Sequence, residues 1–216
     1  EESNAAYLEK ALSAFGIQLT DDDRKALIGT NDKTRIESLL SRSLVKVTAE
    51  DLAGKRRQVG NTYENSCIRP MPGVVSLIQE IRGRGIKTGL VTSTSTRLIM
   101  IALNRMRMTA LFDVVICGDM CANHKPDPEC YKKAMDYLGA EPCKCIVFED
   151  SAVGIHAARL AGARVAAYRG SGIQQDVSEA DLIVDSYDEC KDMLDDIMQG
   201  KITQGRITQG VIMPCK

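Results

Sequence analysis

No stretch of this sequence approaches the roughly 18 consecutive apolar residues of a membrane span, and no charged segment followed by an apolar signal core opens it. The chain therefore reads as cytosolic, with no membrane partner. Clustered basic charge is missing too: 28 Lys and Arg stand against 29 Asp and Glu, for a formal net charge of −1, and Lys55-Arg56-Arg57 is the only basic triplet. The electrostatic footprint of a nucleic-acid binder is absent, and the triplet fits a solvated helix face. Histidine is scarce, with only His124 and His156, and neither is assigned a catalytic part.

What is present is an ordinary globular composition. At 216 residues and 44% hydrophobic, the chain has enough apolar content for a sizeable core, as one domain with an insertion or as two small ones. Eight cysteines (Cys67, Cys117, Cys121, Cys130, Cys143, Cys145, Cys190 and Cys215) make an even count. A core-rich chain of this size does not need disulfide staples, so free thiols are expected. Cys117-x3-Cys121 and Cys143-x-Cys145 lack the two-residue gap of a zinc knuckle and a convincing histidine partner, which removes a zinc site.

The pattern divides the chain in two. Ala5, Leu8, Leu12 and Phe15 form a helical stripe over 4–16, closed by Gly16. Thr20-Asp-Asp-Asp23 and Thr48-Ala-Glu-Asp51 resemble capping boxes that start helices near 21 and 49, and Asp32 to Ser43 reads as another helix. Up to about residue 66 no strand-like run occurs. After the proline-rich Arg69-Pro-Met-Pro-Gly73 the pattern alternates: helices over 74–83, 95–106, 128–138 and 153–161, and strands over 87–92, 113–117, 145–149, 164–168 and 182–184. Such alternation predicts an α/β fold, a parallel sheet covered by helices, with ligand-binding residues at the carboxyl ends of the strands.

Three strand ends carry chemistry. Cys145-Ile-Val-Phe-Glu-Asp150 is a buried-strand pattern that stops on two carboxylates, Glu149 and Asp150, which suit a hard cation such as Mg2+. The plain alternative is that the acids favour the N-terminus of the following helix. Thr92-Ser93-Thr94-Ser95-Thr96 offers hydroxyls and N–H groups fit to cradle a phosphate oxygen, or else simply caps helix 95–106. Lys125 stands in a loop before Pro126 and Pro128, where its ammonium could neutralise a phosphoryl oxygen or a carboxylate, or else face solvent.

Hydroxyl, lysine and acid pair, in that order at successive strand ends, resemble the haloacid dehalogenase-like superfamily, in the branch of β-phosphoglucomutase and small sugar-phosphate phosphatases. The resemblance runs over about 1–188 and rests on Pro72-Gly-Val, Gly-Leu-Val-Thr92-Ser, Lys125-Pro-Asp-Pro and Phe-Glu149-Asp150-Ser-Ala-Val-Gly154 through Gly162. It implies a Rossmann-like parallel-sheet core with a helical cap: linker and first cap helix at 1–15, cap at 16–68, core at 69–190, C-terminal helix and tail at 191–216. It further implies a Mg2+-dependent phosphatase acting on a small phosphorylated metabolite, a sugar phosphate, as a monomer or weak homodimer. A phosphomutase, a dehalogenase or a non-catalytic phosphate-binding protein remain alternatives. Thr92 would hydrogen-bond the phosphoryl group, with Ser93 and Thr94 beside it. Lys125 would balance charge, Glu149 and Asp150 would position Mg2+, and Ser151 would support the acid loop. Gly29, Thr30 and Asn31 would lie on a cap loop facing substrate, with Lys33 or Arg35 able to meet its distal group.

The family's first motif, an apolar strand followed by Asp-x-Asp-Gly, supplies its nucleophile, and no such run occurs here. That strand belongs in the middle of the family's sheet, so the chain reads as starting just downstream of it, with the nucleophile outside these residues. Lys201-Ile-Thr-Gln-Gly205 is nearly repeated as Arg206-Ile-Thr-Gln-Gly210, and 201–216 is expected to be a flexible tail, with a strand added by Val211 to Met213 as the alternative.

Overall fold

The computed structural model describes residues 2–27, 33–172, 174–201 and 210–214. The chain forms two compact units, Glu1–Ile68 and Arg69–Lys216.

Among the described residues, the first unit holds five helices: α1 (Glu2–Ser13), α2 (Asp21–Leu27), α3 (Lys33–Leu40), α4 (Ala49–Val59) and α5 (Thr62–Asn65). Both capping boxes form. The Asp23 carboxylate accepts from Thr20 N at 2.9 Å while Thr20 Oγ1 accepts from Asp23 N at 3.2 Å. Thr48 and Asp51 make the same reciprocal pair at 2.9 and 3.1 Å. Each satisfies N–H groups that the first helical turn leaves without intrahelical partners. Leu8, Leu12, Ile17, Leu39 and Leu52 bury the apolar stripes against one another.

The second unit contains α6 (Val74–Gly83), β1 (Lys87–Val91), α7 (Thr96–Met106), β2 (Val114–Ile116), α8 (Glu129–Leu138), β3 (Cys145–Glu149), α9 (Ala152–Leu160), β4 (Arg164–Tyr168), β5 (Leu182–Val184), α10 (Tyr187–Asp192), α11 (Leu194–Gln199) and β6 (Gly210–Pro214). The strands form one parallel sheet in the order β2-β1-β6-β3-β4-β5. Every residue of β3 is buried, as the unbroken apolar run over 145–148 requires for a strand covered on both faces. Helix α8 packs on β1 and β2 and α9 on β3 and β4. Thr88, fully buried, is fixed by its hydroxyl donating to Leu111 O at 2.6 Å and its N–H donating to Asp113 at 2.8 Å.

The end of the chain departs from expectation. Residues 210–214, read from sequence as part of a tail, form the sheet's inner strand β6, and the gap expected between β1 and β3 is filled. Thr88 to Val91 pair with Val211 to Pro214 on one side, and Cys145 to Val147 with Gly210 to Ile212 on the other. Val211, Ile212 and Met213 are at most 1% exposed. Only three apolar residues mark this strand in sequence and a proline follows them, which is why the pattern resembled a tail. Their burial and the two ladders they complete outweigh that weak local signal.

The placement of β6 predicts that Ile212→Ala, which empties a fully buried site, lowers stability by about 2–5 kcal/mol. Ile183→Ala on β5, at a site 43% exposed, should stay within about 0.5 kcal/mol of the parent. Urea unfolding of the two variants checks this, and equal midpoints would remove β6 from the sheet.

Candidate functional site

Strand order reverses at β6: β1 and β2 lie on one side of it, β3 to β5 on the other. In open α/β sheets such a switch point leaves a crevice at the carboxyl ends, where ligands bind. Thr92 follows β1 and Asp150 follows β3, so they flank the end of β6, about 9–10 Å apart by two strand spacings.

The most strongly organised group is Glu149. It is 1% exposed, and a carboxylate taken out of water is tolerated only when it is paired and hydrogen-bonded. Its Oε1 accepts from Lys125 Nζ in a short ion pair and from Tyr131 OH at 2.7 Å. Its Oε2 accepts from Ser151 Oγ at 2.9 Å, Asp150 N at 3.0 Å and Ser151 N at 3.1 Å. Burial pushes this carboxyl up, but the charge of Lys125, its hydrogen bond, and those from Tyr131 and Ser151 prevail and hold it below the ordinary glutamate value. Lys125 is drawn in with it: its side chain is only 9% exposed, in a loop whose Lys125-Pro126 peptide is cis. The solvent-facing alternative for Lys125 is thus excluded.

Ser151 serves twice. Its Oγ donates to Glu149 and accepts from Gly154 N at 3.2 Å, so it caps α9 while bracing the carboxylate. A Cβ at Gly154 would stand inside van der Waals contact of the Glu149 carboxyl group, so only glycine fits beside it. Asp150, the next residue, is 6% exposed. Two adjacent carboxylates at one strand end offer oxygen donors of the kind Mg2+ takes, with water and a phosphate completing its shell. In this donor set Glu149 is already committed to five hydrogen-bond donors.

At β1, Thr92 is 3% exposed and its Oγ1 accepts from Thr94 N at 3.1 Å, shaping the turn out of the strand. Thr94 O accepts from Gly118 N at 2.9 Å, and the Ser93 carbonyl lies so close to Gly118 that a Cβ there would clash with it. Ser93 is exposed and Thr94 half-buried. The helix that follows is not capped by this hydroxyl run, since Ser95 makes no side-chain cap. Asp119 caps it from the loop after β2, accepting from Thr96 N at 2.9 Å and Thr96 Oγ1 at 2.7 Å. A carboxylate therefore occupies the positive end of α7, and the anion-cradling capacity read into 92–96 contracts to the turn at Thr92, Ser93 and Thr94.

Lys125, Glu149 and Ser151 are thus in direct contact, with Asp150 adjoining and the Thr92 turn across β6. Gly29, Thr30 and Asn31 lie outside the described residues; Arg35 is an exposed residue of α3 in the first unit. Two contributors were not found from sequence. Tyr131 sits on the apolar stripe of α8 with Ala134, Met135 and Leu138, where it looks like any core aromatic. Asp119 looks like any loop acid.

Comparison with known proteins agrees with the fold. A family profile described as haloacid dehalogenase-like hydrolase matches residues 1–168. A phosphorylated carbohydrates phosphatase of Thermotoga maritima is 29% identical over 153 residues, 71% of each chain. Protein CbbY of Rhodobacter capsulatus is 36% identical over 98 residues, 44% of this chain, and the match spans only 43% of that protein. The crystal structure of CbbY from Rhodobacter sphaeroides in complex with phosphate superposes with a TM-score of 0.75 at 25% identity, over 88% of this chain and 89% of that one.

The packing of Gly154 gives a direct check on the Glu149 arrangement. Gly154→Ala should destabilise the chain by about 1–3 kcal/mol, because the carboxylate must leave its donors. Gly83→Ala, in α6 with nothing near the added methyl, should be neutral or stabilising by up to about 1 kcal/mol. Chemical denaturation of the pair reads the difference.

Proposed function

This chain belongs to the haloacid dehalogenase-like hydrolase family, and from that premise we propose that it binds and hydrolyses a small phosphorylated metabolite, a sugar phosphate, with Mg2+. The observation that carries the reading is a lysine ammonium held on a buried glutamate beside a second carboxylate at the switch point of a parallel sheet. Phosphoryl transfer asks a protein mainly for positioning and for charge complementary to the phosphoryl oxygens. Lys125 would supply fixed positive charge and the Thr92 turn hydrogen-bond donors. Asp150 would be the principal protein ligand of Mg2+, with Glu149 anchoring Lys125 and able to reach the ion only by giving up a donor. Bound there, Mg2+ would neutralise charge on the phosphoryl oxygens. The aspartyl nucleophile that the family uses would come from outside residues 1–216.

One observation favours a second reading. The strand between Thr92 and Asp150 ends on Pro214, a residue that would offer a phosphoryl group no nucleophilic oxygen. A phosphate-binding protein without turnover is the form the function takes if β6 is the strand that stays there.

Calorimetric titration with inorganic phosphate in Mg2+, alongside a hydrolysis assay on sugar phosphates, separates these. Phosphate should bind, and Asp150→Asn should weaken Mg2+-dependent binding by about tenfold or more, the loss of about 1.4 kcal/mol. Lys125→Met combined with Glu149→Gln, which removes both charges of the buried pair together, should abolish it while leaving the chain folded. Hydrolysis supports the phosphatase, and binding alone supports the second reading. Absence of binding, or binding unaltered by these changes, overturns both.

A further inference from the structure

Tyr131 is fully buried on α8, yet it touches both members of the ion pair. Its hydroxyl donates to Glu149 Oε1 at 2.7 Å, the same oxygen that accepts from Lys125, and its ring lies beneath the lysine, with Nζ 4.8 Å from the centroid. A cation over the face of an aromatic ring is attracted by the ring's quadrupole, and the attraction strengthens where water is excluded. The other carboxylate oxygen, Oε2, is held independently by Ser151 and two backbone N–H groups. Tyr131 is therefore the only side chain besides Lys125 that hydrogen-bonds Oε1 among the described residues, and the one whose ring faces the ammonium.

We propose that Tyr131 is a positioning residue: it fixes where the Lys125 ammonium stands, from below through its ring and from the side through Glu149 Oε1. A lysine carries several rotatable bonds and loses substantial entropy when held in one place, so a single ion-pair oxygen leaves it room to swing. Two contacts from one rigid, buried ring close that room. The hydroxyl also answers a packing problem, because a buried tyrosine oxygen without a partner would be costly, and here its partner is a carboxylate that needs donors. The assignment rests on the proposed role of Lys125 as the cationic group of the phosphate site, but its test does not.

Tyr131→Phe keeps the ring beneath Lys125 and deletes only the hydroxyl. Pulse labelling with an amine-acylating reagent, read by peptide mass spectrometry in the absence of ligand, reports how freely the Lys125 amine leaves its place. Lys133, on the same helix and paired with Glu129 at 2.7 Å, is the internal reference. The Lys125 to Lys133 labelling ratio should rise about three- to tenfold in Tyr131→Phe, a part of what a hydrogen bond to a charged group contributes. An unchanged ratio overturns the assignment. Both lysines rising together also overturns it, since that marks a loosened helix instead of a released ammonium. Protection of Lys125 in the parent chain by inorganic phosphate with Mg2+ tests the phosphate reading separately: a changed ratio without protection keeps Tyr131 in its role and removes the phosphate.

Discussion

A parallel sheet cannot skip a strand. The N–H and C=O groups of β1 and β3 point in the plane of the sheet, into space that water does not reach, and each would be left unpaired if nothing lay between them. Strand β6 fills that space, pairing across five residues of β1 and three of β3. Unpaired buried polar groups cost about 1–3 kcal/mol each, against a total stability of about 5–15 kcal/mol, so the second unit depends on this one short segment. The site depends on it as well. By standing between β1 and β3 at the switch in strand order, β6 sets the separation of Thr92 from Asp150.

Within that frame the local chemistry follows from burying one charge. Glu149 ends a fully buried strand, and its ionised form is sustained by Lys125, Tyr131, Ser151 and two backbone amides. Lysine, tyrosine and serine come from three separate segments, so the carboxylate ties the loop after β2, helix α8 and the start of α9 to the same point. The same contacts hold the Lys125 ammonium at a strand end beside a second acid. Gly154 belongs to the same logic, since any larger residue would push the carboxylate from its donors.

Most of the second unit was legible in sequence. Strands over 145–149, 164–168 and 182–184 and the helix over 74–83 coincide with the observed elements, because each is an apolar run or stripe with clear breakers at its ends. Lys125, Glu149 and Asp150 were legible from their order after successive strands, and Ser151 from the family resemblance. Three features were not. The β6 run is three apolar residues long and is followed by proline, and its identity as a strand comes from the two neighbours it pairs with, which no local pattern contains. Tyr131 carries the periodicity of a core residue, and its polar role exists only because Glu149 is folded against it. The α7 cap comes from Asp119, more than twenty residues away, where a local hydroxyl run looked sufficient.

The position of β6 at the centre of the sheet is the claim on which the geometry of the site stands, and amide hydrogen exchange tests it most directly. With β6 inside the sheet, the amides of Val211, Ile212 and Met213 should exchange as slowly as those of Leu90 in β1 and Val147 in β3, opening only when the unit unfolds. Exchange of these three amides at the rate of an exposed chain end, with Leu90 and Val147 still protected, would contradict it.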